Sequence, residues 1–213
     1  MKTNQFNIAE QTADFLLQIK AIKLEPSNPF TWASGWKSPI YCDNRKTLSY
    51  PNIRKHLAKS FATIIKEKFS DVEVIAGVAT GGIAVGVLVA EILDLPFIYV
   101  RSEAKSHGMT NQIEGAYEAG QKMVVIEDLI STGGSSLKAV NALRGADCKV
   151  LGMVAIFTYD FEKAVRSFAD ANCEVYTLSN YATLIERAKE TGYVSEDDVA
   201  RLQEWRKAPD QWK

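Results

Sequence analysis

Four short, strongly apolar runs constrain this chain more than any other feature: residues 72–78, 96–101, 122–126 and 149–158. They are rich in Val and Ile and lack the polar alternation of a sheet with one wet face, so each reads as a strand buried on both sides. Helical patterns separate them. Residues 83–93 follow the first run through Ala79-Thr80-Gly81-Gly82, and residues 135–143 follow the third through a loop rich in glycine and hydroxyls. Alternation of strand and helix places the chain in the α/β class, with a mainly parallel twisted sheet and helices on both faces. Such sheets take their ligands at the carboxyl ends of the strands.

The flanks read differently. Asn7-Ile8-Ala9-Glu10 resembles a capping box and opens an amphipathic helix carrying Phe15, Leu16, Ile19 and Ile22. Residues 28–52 lose periodicity and gather Pro29, Gly35, Pro39 and Pro51 among Phe30, Trp32, Trp36 and Tyr41, which predicts a structured N-terminal hood. Pro51 suits the first turn of a second helix whose apolar face is Ile53, Leu57, Phe61, Ile64 and Ile65. Two further helices are expected at residues 179–189 and 195–205. The expectation is a single domain over residues 1–213, with a hood from about residue 1 to 50 joined by the C-terminal helices and a core over about 51–178.

Composition excludes several classes. With 46% hydrophobic and 24% charged residues the chain is neither disordered nor collagen-like. A net charge of -1 leaves no excess of cations for a nucleic-acid backbone or an anionic membrane. The longest uncharged apolar run, residues 74–90, is broken by Thr80-Gly81-Gly82, and nothing here is expected to span a bilayer. No signal-peptide core precedes Glu10, and three unclustered cysteines suit a reducing, cytoplasmic compartment. With two separated histidines, any bound metal should be a hard cation on oxygen ligands.

The chemistry concentrates in residues 123–136. An apolar strand delivers Glu127 and Asp128, then Leu129 and Ile130, and the loop Ser131-Thr132-Gly133-Gly134-Ser135 turns into a helix. Glycines let the backbone approach a phosphate, the helix N-terminus offers N–H donors, and the hydroxyls add more. The carboxylates would repel that phosphate, so they suit sugar hydroxyls or a Mg²⁺ ion that bridges to phosphate. A lone Glu-Asp pair is ordinarily solvated surface, and a lone Ser-Thr-Gly-Gly is ordinarily a turn. Their combination after a buried strand is what points to a sugar phosphate. No Lys follows the glycines and no G-x-G-x-x-G occurs, which excludes a Walker A loop and a dinucleotide fingerprint.

A second signal is the polar gap of 20 residues, 102–121, which follows Arg101 and carries Lys105, His107, Gly108, Gly115 and Gly120. Loops beyond about 12 to 15 residues are commonly lids or binding loops. A cationic lid suits a reaction with a polyanionic leaving group. Other conspicuous residues read as ordinary structure: His56 as an exposed helix residue, Trp205 and Trp212 as packing anchors, and Cys42 as inert.

The segment Glu127 to Ser135 resembles the 5-phosphoribosyl 1-diphosphate (PRPP) motif of type I phosphoribosyltransferases. Arg101-Ser-Glu-Ala-Lys105-Ser-His107-Gly108, followed by Ile113-Glu114-Gly115, is similar to the catalytic loop of the orotate phosphoribosyltransferase family, with Ser102 standing where that pattern carries Lys. Residues 30–41 resemble the family's hood, with Ala33 in place of Lys and with Lys37 or Arg45 as substitutes. Residues 77–83 resemble its diphosphate loop. No Arg follows Thr158, where many members carry one that contacts orotate, so Ser131 becomes the orotate candidate.

The resemblance implies the type I phosphoribosyltransferase fold and transfer of ribose 5-phosphate from PRPP to orotate, giving orotidine 5-monophosphate and diphosphate for UMP synthesis. It implies Lys105, His107 and Asp128 as catalytic groups. PRPP would be held by Arg101, Lys105, His107, Glu127, Asp128, Leu129, Ile130, Ser131, Thr132, Gly133, Gly134 and Ser135. Glu127 and Asp128 would take the ribose 2- and 3-hydroxyls, and Ser131 to Ser135 the 5-phosphate. Mg²⁺ would ride on PRPP near Asp128, and a homodimer would present each catalytic loop in trans. Two rivals are a purine phosphoribosyltransferase and a PRPP-sensing nucleic-acid-binding regulator, the latter disfavoured by the net charge of -1.

Overall fold

The computed structural model describes residues 3–32, 34–102 and 112–212. In chain order its elements are α1 (Thr3–Gln18), β1 (Ile22–Leu24), β2 (Phe30–Thr31), β3 (Lys37–Ser38), β4 (Ile40–Cys42), a 3-10 segment (Asn44–Ser49), α2 (Pro51–Lys68), β5 (Val74–Val78), α3 (Gly81–Leu93), β6 (Phe97–Val100), β7 (Ile113–Glu114), β8 (Lys122–Ile130), α4 (Gly134–Gly145), β9 (Lys149–Thr158), α5 (Glu162–Asp170), β10 (Val175–Asn180), α6 (Tyr181–Glu190) and α7 (Glu196–Lys207). Two compact units emerge, Met1–Thr47 with Ser179–Lys213, and Leu48–Leu178.

In the first unit α1 buries Ala13, Leu16 and Leu17, and β1 pairs antiparallel with β4, Ile22 opposite Cys42. Arg187 of α6 donates from Nε and Nη2 to the two carboxylate oxygens of Asp14 on α1, each at 2.9 Å, a forked geometry that resists sliding. Trp205 is fully buried against Trp32 and Tyr181, the packing role expected of it. Two boundaries depart from the sequence expectation. α1 begins before Asn7, and Ile22 belongs to β1, because Lys20 turns left-handed at φ 53° and reverses the chain. α6 begins at Tyr181 rather than 179, where the Asn180 side chain accepts the Thr183 N–H as its cap.

The second unit is built on a six-stranded sheet in the order β10-β9-β8-β5-β6-β7. β5 runs parallel to β6 and to β8, and β8 parallel to β9, while β7 pairs antiparallel with β6. β7 lies inside the stretch read as one uninterrupted loop, so the gap is shorter than the spacing implied. Both faces of the sheet are covered. Val74, Ala76, Val78, Met123 and Val125 pack with Ala139, Val140 and Leu143 of α4. On the opposite face Gly77 lies against the Gly82 carbonyl of α3, and Gly152 approaches Phe69 beyond α2, both contacts that a Cβ would obstruct. His56 on α2 is half-buried rather than exposed, its Nε2 3.4 Å from the Ser60 hydroxyl, and burial lowers its pKa. No helix among the described residues is long and apolar enough to cross a membrane.

Candidate active site

The strand order fixes where a ligand can sit. From β5 the chain passes to β6 on one side, then returns to β8 on the other side of β5, so the crevice of an open parallel sheet falls at the carboxyl ends of β5 and β8. Two loops flank it, Ala79-Thr80 entering α3 and Ser131 to Gly133 entering α4.

β8 extends four residues beyond the predicted strand, keeping its ladder to β9 through Leu129 opposite Phe157 and Ile130 opposite Thr158. Glu127 and Asp128 therefore lie within the strand, and its two-residue period sends them to opposite faces. Asp128 is half-exposed and points toward the start of α3. A Cβ built on Gly81 would lie 2.2 Å from its carboxyl carbon and 2.4 Å from both oxygens. Only glycine admits that approach, and it places the carboxylate at the positive end of the α3 dipole. Gly82 is equally confined, its Cβ position 2.3 Å from the Ile126 carbonyl oxygen.

Glu127 faces α4 and is 5% exposed. Its Oε1 accepts the Asp128 N–H at 3.0 Å and its Oε2 accepts the Ser136 hydroxyl at 2.8 Å. Burial, and after it the charge of Asp128, pushes the Glu127 carboxyl up to about 8, while the Ser136 hydroxyl works against that shift.

The loop is shaped for an anion. Gly133 takes φ 82° as the N-cap of α4, and its carbonyl accepts the Leu137 N–H at 2.9 Å. The N–H groups of Gly134, Ser135 and Ser136 occupy the first turn, where no intrahelical acceptor exists. Gly134 and Ser135 are exposed, Ser131 and Thr132 half-buried, and Ile130 is buried beneath them. Gly133 rests on Phe168 of α5, an element the sequence reading did not anticipate, with a Cβ position 2.9 Å from its ring. Gly81 lies in the stretch likened to the diphosphate loop, but its approach to Asp128 is not legible there, and Ser136 and Phe168 are site contacts that reading missed. Ser136 was visible only as the second Ser after the glycines, and its partner lies nine residues back.

Arg101 leaves β6 with its N–H donating to the Gln112 carbonyl at 2.9 Å, which closes the base of the cationic loop, and its Nη1 lies 3.5 Å from Glu114 Oε1 on β7. Lys105 and His107 fall outside the described residues, as does Ala33. In the first unit, Lys37 donates to Thr31 Oγ1 at 2.8 Å and Arg45 to Asp43 Oδ1 at 2.7 Å. At the end of β9, Tyr159 is buried with its ring stacked on Phe161, centroids 5.3 Å apart, and Thr158 Oγ1 accepts the Asp160 N–H at 3.0 Å. Aromatic packing thus occupies the position where an Arg was sought.

Residues 46–196 match the phosphoribosyl transferase domain, a span that includes the whole second unit and defines the class of protein. The orotate phosphoribosyltransferase of Phocaeicola vulgatus is 57% identical over 213 residues, covering 100% of this chain and 99% of its own. That of Porphyromonas gingivalis is 58% identical over 200 residues, covering 94% and 95%. The crystal structure of orotate phosphoribosyltransferase from Aeropyrum pernix superposes with a TM-score of 0.75 at 26% identity, over 86% of this chain and 99% of its own. This chain belongs to the orotate phosphoribosyltransferase family.

Proposed function

We propose that this pentosyltransferase moves ribose 5-phosphate from PRPP to N1 of orotate, releasing diphosphate and forming orotidine 5-monophosphate in cytoplasmic pyrimidine biosynthesis. The observation that carries the reading is the meeting of two loops and Asp128 at the β5–β8 crevice, in a chain 57% identical end to end to an orotate phosphoribosyltransferase. The 5-phosphate goes to the N–H groups and hydroxyls of Ser131, Thr132, Gly133, Gly134 and Ser135, with Leu129 and Ile130 as the apolar floor. The ribose 2- and 3-hydroxyls go to the Glu127–Asp128 pair, of which Asp128 is the more exposed member. Ser131 sits at the mouth of the same loop and is assigned to orotate.

The barrier lies mainly in breaking the C1–oxygen bond, because orotate N1 is a modest nucleophile. Catalysis then rests on positioning and on stabilising the departing diphosphate, which we assign to Arg101, Lys105 and His107. Lys105 and His107 are proposed to act on the neighbouring protomer of a homodimer. Mg²⁺ fits the donor chemistry, since it commonly keeps one or two carboxylates and takes its other ligands from phosphates and water. Asp128 would hold it, and when bound it neutralises diphosphate charge. Among the described residues no three His, Cys, Asp or Glu side chains gather into a cage, which suits an ion that arrives with its substrate.

The test is diphosphate release from PRPP with orotate and with adenine or hypoxanthine, with and without Mg²⁺. Release with orotate and Mg²⁺ alone is expected. Release with a purine base, or none with orotate, would overturn the reading.

A further inference from the structure

We infer that Ser136 is a positioning residue: its hydroxyl clamps the end of β8 to the first turn of α4, and so sets the spacing between the carboxylate that meets the sugar and the loop that meets the phosphate. The inference rests on the proposed PRPP site and goes beyond it, because Ser136 itself is not placed on substrate.

The geometry is specific. Ser136 is 1% exposed and Glu127 5%, so their 2.8 Å hydrogen bond lies out of water. The second Glu127 oxygen accepts the backbone N–H of Asp128 at 3.0 Å. One carboxylate therefore grips the strand at the residue bearing Asp128 and grips the helix at the residue after Ser135. Residues 129–135, the last two of β8 and the phosphate loop, are the only chain between those two grips, so the pair closes them into a ring. Without the clamp, that loop is tied to the sheet through Gly133 against Phe168 and through its own backbone, and the Asp128 backbone loses a fixed partner.

A buried carboxyl that loses a hydroxyl donor must find another partner or move, and leaving a buried acceptor unsatisfied commonly costs the equivalent of about 10- to 100-fold in an equilibrium constant. The donor spans both grips and the loop between them, whereas the acceptor base is assigned to Ser131 alone. The loss should therefore fall on PRPP.

The experiment compares Ser136→Ala, Ser136→Thr, Glu127→Gln and the Ser136→Ala/Glu127→Gln double variant with the unaltered enzyme, measuring KM for each substrate, kcat and thermal midpoint. Ser136→Ala is expected to raise KM for PRPP by about tenfold or more and KM for orotate by much less. Ser136→Thr, which keeps the hydroxyl, should recover much of that loss. Glu127→Gln should cost less in the Ser136→Ala background than alone, because the two act through one bond. A lower thermal midpoint with both KM values unmoved would overturn the inference, as would fully additive costs. Should the unaltered enzyme release no diphosphate from PRPP and orotate, the proposed function itself fails, a result distinct from an active enzyme indifferent to Ser136.

Discussion

Gly81→Ala probes the site through its tightest contact. The added methyl carbon would lie 2.2 Å from the Asp128 carboxyl carbon and 2.4 Å from each of its oxygens. Carbon atoms rest about 3.5–4.0 Å apart, so the carboxylate must retreat by more than about 1 Å. The backbone gives no cause for unfolding, since Gly81 is the first residue of α3 and alanine favours helix. The Asp128 side chain is half-exposed and can swing away. The cost should therefore appear in chemistry: a displacement of about 1 Å in a catalytic geometry is worth about 10²-fold, or about 2.7 kcal/mol of transition-state stabilisation. Steady-state diphosphate release should show kcat/KM for PRPP falling about that far, with the far-ultraviolet melt unchanged. Gly145→Ala serves as control, because nothing lies within 4 Å of its Cβ position. A folded Gly81→Ala enzyme with unaltered kcat/KM would refute the argument that Asp128 works from that position.

Three further outcomes are expected. The native Glu127 carboxyl titrates at about 8 against an ordinary 4.5, so between those values the folded state keeps a proton that the unfolded chain has released. Stability contributed below pH 4.5 is then lost as pH rises toward 8, with a slope of at most about 1.4 kcal/mol per pH unit, and urea unfolding of Glu127→Gln across that window should lack this slope; parallel curves would contradict it. Gly133→Ala pays for a left-handed φ and for Phe168 at 2.9 Å, whereas Gly120→Ala pays only for its φ of 87° with nothing within 4 Å. The first should lose about 1–3 kcal/mol more in chemical denaturation, and equal losses would remove Phe168 as a support of the loop. Lys105→Ala should keep PRPP affinity within about tenfold while turnover falls about 10²- to 10³-fold, and mixing it with Asp128→Ala should restore partial activity if loops serve neighbouring sites. Absence of recovery would place the loop in cis.

What the sequence reveals, and what it conceals, follows from how far each signal reaches. The run at residues 149–158 is apolar between Lys149 and Thr158, and β9 occupies those same residues. Pro51 and the Ile53–Leu57–Phe61 face likewise give α2 its start and its buried side. β8 was read four residues short because Glu127 and Asp128 look like a strand exit, yet the ladder to β9 continues past them. β7, two residues long, is too short for periodicity to stand out, and β10, whose Thr177, Ser179 and Asn180 interrupt its apolar residues, does not read as a buried run. In the site, the glycine and hydroxyl loop is a local pattern and was legible. The Gly81–Asp128 approach joins the first residue of α3 to β8, and the Ser136–Glu127 bond depends on the turn of the loop between them, so neither leaves a trace in spacing. The half-burial of His56 was hidden for a similar reason, since Arg54 and Lys55 beside it suggested a wet face.

The most direct trial of the account is a crystal structure of the enzyme with PRPP and Mg²⁺. The 5-phosphate should lie on the N–H groups of residues 131–135, with the ribose hydroxyls toward Asp128 and the diphosphate between the Thr80 loop and Arg101. A donor bound away from the β5–β8 crevice, with that loop vacant, would contradict the assignment of the site.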